Sequence, residues 1–183
     1  MSLVITGNPG VGKHTVSKIL AKKLNYKILD INKIALKSLN VKKSSGTVDI
    51  DTRKLKSVIK KILTKKSLVV GHLAPYVLTK SQVKAVIVLR KNPYNLISVY
   101  KKRKYTHQKM IENLDSEILG VIAYDSIKKF GKNKVYQIDA TKKPLATIVK
   151  KIQSVFENDF KQDKVDWLTL VVRKNDLKKF FSY

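Results

Sequence analysis

Three glycines, a lysine and three further polar side chains crowd into Gly7-Asn8-Pro9-Gly10-Val11-Gly12-Lys13-His14-Thr15. Gly7, Gly10 and Gly12 admit positive φ, which lets successive backbone N–H groups turn inward round an anion. A helix opening directly behind them adds its free N–H groups and the positive end of its dipole, and Lys13 supplies a point charge that can reach β and γ phosphates. The run follows an apolar stretch, Ser2-Leu3-Val4-Ile5-Thr6, and precedes an amphipathic one. In that setting it reads as a phosphate-binding loop for a nucleotide. One position departs from the pattern: the residue after the lysine ordinarily offers Mg2+ a hydroxyl, and here His14 stands there with Thr15 next. Mg2+ prefers oxygen ligands, so an imidazole replaces a hydroxyl poorly. The metal is then held through water and the nucleotide, or Thr15 helps to hold it, or catalysis is weak.

Other candidates lie downstream. His72 and Arg90 follow short apolar runs at 67–70 and 85–89. Such continuous runs read as parallel strands covered on both faces. In doubly wound sheets ligands bind beyond the carboxyl ends of the strands, so the loop, His72 and Arg90 are expected to emerge together. His72 would orient or deprotonate a water, or bind a phosphate oxygen; the alternative is an incidental loop histidine. Arg103 lies in the basic run Lys101-Lys102-Arg103-Lys104. Its guanidinium can fork across two phosphate oxygens, in a flap that closes over the triphosphate. The plainer reading of that run is a solvated surface. Asp30 either caps a helical segment over 30–39 or faces a substrate.

The elements that must position these groups follow from spacing. Val16, Ile19, Leu20 and Leu24 predict a helix over 12–24, and Tyr26-Lys27-Ile28-Leu29 a second strand. Residues 40–47 read as a polar loop or lid. Asp51 can cap a helix reaching 65, and Asn92-Pro93 starts another reaching 103. One long helix is expected over 106–129, with Met110, Ile111, Leu114, Ile118, Val121, Ile122 and Ile127 inward. A fifth strand at 134–138 and a helix at 144–156 follow. Residues 166–172 form either an extra edge strand or a segment packed on the core, and 174–183 a basic aromatic tail whose rings touch RNA or protein or dock on their own domain. The whole predicts an α/β, three-layer fold: a five-stranded parallel sheet with helices on both faces.

Charge carries a separate signal. Against 39 Lys and Arg stand 13 Asp and Glu, a net +26. Lysine enrichment for thermal stability ordinarily brings glutamate with it, and here the acids are few. So large an excess suits a polyanionic partner such as RNA or a ribonucleoprotein, with surface composition alone as the alternative. Cysteine is absent, which rules out disulfides and thiolate metal sites. No apolar run is long enough to span a bilayer, and the first residues read as a core strand, so a cytoplasmic protein is expected.

Taken in order, residues 7–15, Gly71-His72, Val88-Leu89-Arg90, Arg103-Lys104-Tyr105, Glu112-Asn113 with Glu117-Ile118, Ile138-Asp139-Ala140-Thr141 and Val165-Asp166-Trp167 resemble the adenylate kinase isoenzyme six family, also known as the coilin-interacting nuclear ATPase family, in an archaeal form. The likeness covers 1–168 and implies an adenylate-kinase-like P-loop domain followed by a basic extension over 169–183. It further implies phosphoryl transfer between ATP and nucleoside monophosphates with Mg2+, ATP hydrolysis, and a role in maturation of the small ribosomal subunit with a platform ribosomal protein. By the same resemblance Gly10, Gly12, Lys13, His14, Thr15 and Arg103 contact ATP. A monophosphate segment falls at 30–53, with Asp30 and Arg53; a lid falls at 102–112; and Lys13, His72 and Arg103 carry the chemistry. Three positions depart from the family: Val70 replaces an acid two residues before His72, His14 replaces a hydroxyl, and Val99 replaces a second arginine before the lid.

Overall fold

Strand β1 (Ser2–Thr6) is buried along its whole length, with Leu3 and Ile5 facing one layer of helices and Val4 the other. That division, set by the two-residue alternation of a strand, organises the computed structural model, which describes residues 1–38, 50–157 and 160–181. The expected loop or lid at 40–47 lies outside the described residues. β3 (Ser67–Val70) and β4 (Val83–Arg90) flank β1, with β2 (Lys27–Asp30) and β5 (Val135–Asp139) outside them, in the order β2-β3-β1-β4-β5. All pairings are parallel, and Ile5 lies opposite both Val70 and Ile87. The five carboxyl ends therefore open along one edge.

On the Leu3 face, α1 (Lys13–Leu24), α5 (Pro93–Lys102) and α8 (Leu145–Ser154) contribute Leu20, Leu96 and Ile152. On the Val4 face, α2 (Ile31–Ser38), α3 (Thr52–Ile62), α4 (Ala74–Val77) and α7 (Val121–Phe130) contribute Ala35, Leu55, Val77 and Phe130. Each large aliphatic or aromatic side chain so buried contributes roughly 1.5–3 kcal/mol. Asp51 caps α3, accepting from Arg53 N at 3.0 Å and Lys54 N at 3.1 Å, and that helix ends at Ile62 rather than at 65. Among the described residues no helix is long and apolar enough to cross a membrane.

One expectation is overturned and one choice left open is decided. The long helix over 106–129 is two helices, α6 (His107–Ile118) and α7, broken at Leu119-Gly120, where Gly120 takes φ 68. Apolar spacing runs on through the break, so periodicity hid it; Val121, expected inward, is 36% exposed. Of the two readings of residues 166–172, the segment packed on the core holds and the edge strand does not. These residues are helix α9 (Trp167–Arg173), capped by Asp166, whose carboxylate accepts from Thr169 N at 2.9 Å, and Val171 is buried in the Leu3-side core. The division expected at 168 falls inside this helix. A further short helix, α10 (Leu177–Phe180), buries Phe180 edge-on against Tyr94 at 5.0 Å, so this ring of the tail docks on its own domain. The segment before α9 is tied across the end of β5 by Asp163, which accepts from Asp139 N at 2.9 Å and pairs with Lys143 and Lys151.

Candidate nucleotide site

The loop leaves β1 through two positions that only glycine suits. A Cβ on Gly7 would sit 2.3 Å from Leu89 O, and one on Gly10 would meet the side chains of Leu96, Val99 and Tyr100 at 3.1 Å, with φ at 130 and 87. Val99, the residue in place of a family arginine, thus packs under the loop. The first intrahelical bond of α1 runs from Val16 N to Gly12 O at 3.1 Å, so the N–H groups of Lys13, His14 and Thr15 lead into the site ahead of it. Lys13 is 6% exposed, and its Nζ donates to Asn8 O at 2.9 Å. Burial, reinforced by the Arg103 guanidinium and opposed by Glu117 and Asp30, brings its ammonium down to about 8.

A pocket of about 460 Å³ opens beside it, a size that suits a nucleotide-sized ligand. Gly10, Gly12, Lys13, His14, Thr15, His72 and Arg103 all line it. Asp30 is a cap: Oδ1 accepts from Asn32 N at 3.1 Å and Lys33 N at 3.2 Å at the start of α2, while Oδ2 meets His14 Nε2 at 2.9 Å, and Asp30 is not part of the lining. Arg53 lies exposed in the first turn of α3 and is not part of the lining. Arg90 is not part of it either: its side chain turns inward, 4% exposed, and Nε donates to Glu117 Oε1 at 2.8 Å. Burial, aided by the Lys13 charge, pulls the His72 imidazole down to about 4, so at neutral pH it is uncharged and can orient a water but cannot serve as a cation.

Arg103 follows α5 in a tight turn, with Lys104 at φ 54. The basic run is therefore the last turn of α5 and this turn, and the 102–112 segment continues into α6. Tyr105 stacks on Tyr100 with centroids 5.3 Å apart, Lys109 lies 4.8 Å over the Tyr105 ring, and Tyr100 OH donates to Pro9 O at 2.8 Å. The turn bearing Arg103 is thereby fastened to the phosphate loop. Sequence reasoning did not single out Asn32, Leu36, Ile50, Tyr105, Lys109 or Asn113 as lining residues. It also missed Asn8, Ser116 and Glu117, whose side chains join behind the loop. One signal was present: Glu117 sits between Leu114 and Ile118 on the apolar face of its helix, where an acid needs a partner.

A parallel sheet with a glycine loop after β1 and a buried lysine beside it is a P-loop kinase-like fold. Residues 3–120 match the family described as AAA domain. A protein of Methanocaldococcus jannaschii named "Putative adenylate kinase" is 33% identical, over 100% of this chain and 97% of its own. One of the same name from Saccharolobus solfataricus is 33% identical over 83% of this chain and 81% of its own. The chain belongs to this family of archaeal proteins. Among solved structures, a shikimate kinase from Bacteroides thetaiotaomicron is similar with TM-score 0.57 at 17% identity, covering 86% of this chain and 98% of that one. The YorR protein of Bacillus subtilis, in complex with phosphorylated GDP, gives TM-score 0.59 at 18% identity over 86% and 96%. These two likenesses concern the fold.

Proposed function

We propose that the protein is a nucleoside monophosphate kinase that transfers the γ-phosphoryl group of ATP to AMP or another monophosphate, and hydrolyses ATP when no acceptor is bound. The observation that carries this reading is the convergence of Lys13, Arg103 and His72 on one pocket at the mouth of a glycine loop. The names of the relatives support the same substrate class. An oxygen of the monophosphate attacks the γ phosphorus in line, the bond from that phosphorus to the β–γ bridging oxygen breaks, and ADP leaves with a nucleoside diphosphate. Loop N–H groups, Lys13 and Arg103 hold and neutralise the phosphates; in hydrolysis His72 orients the attacking water. Residues 30–53, with Asp30 and Arg53, form the monophosphate segment, and 102–112 form the lid.

Mg2+ suits this site in one manner. The structure turns His14 onto Asp30 and leaves Thr15 exposed in the pocket, so the protein oxygen donor at hand is the Thr15 hydroxyl. An ion that keeps most of its waters and takes substrate phosphate oxygens needs no more than one or two protein oxygens. Thr15 would hold it, and when bound it would supply charge neutralisation for the phosphates.

The resemblance to the isoenzyme six family and the charge of +26 support a further element of the proposal. The cytoplasmic enzyme acts in maturation of the small ribosomal subunit, binding a platform ribosomal protein and rRNA through its basic surface and the extension at 169–183. A second reading makes this its main output, with nucleotide turnover only timing release. A coupled assay with ATP and each monophosphate tests the enzyme: turnover is expected, with a loss of at least about 100-fold in Lys13→Ala. An inactive wild type, or turnover that Lys13→Ala does not change, overturns it. Binding to a platform protein or rRNA, with and without ATP, separates the two readings.

A further inference from the structure

Glu117 is an acid where α6 packs on the core, and its side chain is wholly buried. Oε2 accepts from Asn8 Nδ2 at 2.8 Å; Oε1 accepts from Arg90 Nε at 2.8 Å, Lys91 N at 3.0 Å and Trp167 Nε1 at 3.1 Å. Ser116 Oγ donates to Asn8 Oδ1 at 3.0 Å, so consecutive residues of α6 hold both ends of the Asn8 carboxamide. The backbone oxygen of the same Asn8 receives Lys13 Nζ. A buried ion pair is a poor device for stability, because desolvation offsets most of the attraction and an apolar side chain would fill the space at less cost. It is a good device for geometry, since a carboxylate held by four donors cannot move without breaking several bonds at once.

We infer that Glu117 is a positioning residue of the phosphate site. It locks Asn8, and through the Asn8 carbonyl it fixes where Lys13 Nζ stands when a γ-phosphoryl group arrives. This rests on the reading of the loop as the ATP site. Glu117 touches no substrate; it acts through Asn8, while its bonds to Lys91 N and Trp167 tie the same carboxylate to the end of β4 and to α9.

Steady-state kinetics and thermal melting of Asn8→Ala and Glu117→Gln test it. Asn8→Ala removes the tie to the loop and leaves the carboxylate its other donors, so it holds the test even if Glu117→Gln does not fold. For Asn8→Ala, KM for ATP is expected to rise about tenfold, the loss of one hydrogen bond to a charged acceptor. KM for the monophosphate should stay within about twofold, and the unliganded melting temperature within about 4 °C. A KM for ATP equal to the wild type's, or both KM values rising together with a larger fall in melting temperature, overturns the inference. Failure of the kinase reading looks different: the wild type itself neither binds nor turns over ATP.

Discussion

Burying an ammonium costs free energy until an anion completes its surroundings, and Lys13, brought down to about 8, is waiting for one. Phosphate oxygens favour its charged form, so ATP binding raises its affinity for protons, and the complex takes protons up near pH 8.5. ATP affinity should accordingly fall as pH rises through 8. Calorimetry in two buffers of different ionisation enthalpy should detect the uptake in the wild type and find it missing in Lys13→Met. His72 gives a stability effect of definite sign. Its folded value of about 4 lies below the unfolded 6.5, so between those limits the unfolded chain binds more protons. The contribution of the neutral ring is present above pH 6.5 and is lost as pH falls towards 4. The melting temperature of the wild type should drop across that interval more than that of His72→Asn. At this scale the sequence showed what was local: nine contiguous residues carried the phosphate loop and the role of Lys13. Glu117 stayed hidden because its partners are remote, Asn8 lying 109 positions away and Trp167 50.

Some helix and strand boundaries were legible from a cap or from a run of apolar residues. The Asp51 cap and the strands β1 and β3 lie where the pattern put them. The break between α6 and α7 was not legible, because its apolar residues keep helical spacing across Leu119 and Gly120; α9 was missed because its β-branched residues outweighed the Asp166 cap. Gly120 is what the break depends on. A Cβ there would meet Arg90 Nη1 at 3.1 Å and would have to adopt φ 68. Gly120→Ala should therefore destabilise by about 1–2 kcal/mol, the cost of a left-handed conformation for a residue with a side chain. A lower urea midpoint with unchanged m would show it. Since Arg90 leans on Glu117, the same substitution should also raise KM for ATP.

For the molecule as a whole, parallel pairing brings the ends of five strands to one edge, which is why residues as far apart as Lys13, His72 and Arg103 share a pocket. That much followed from continuous apolar runs and the loop after β1. The distribution of charge did not, since lysine spacing says nothing of which surface it will share. With a net +26, affinity for RNA should fall linearly in log–log terms as salt rises, with a slope set by the number of phosphates neutralised. Gel-shift titrations from 50 to 300 mM salt would measure it; a flat response would mean that the charge serves no polyanion.

The single tryptophan of the chain rests its indole N–H 3.1 Å from the carboxylate that also holds Asn8. Its ultraviolet emission therefore originates at one spot, two hydrogen bonds behind the loop. A stopped-flow instrument should see nucleotide arrive and leave through quenching of that light, with no dye attached.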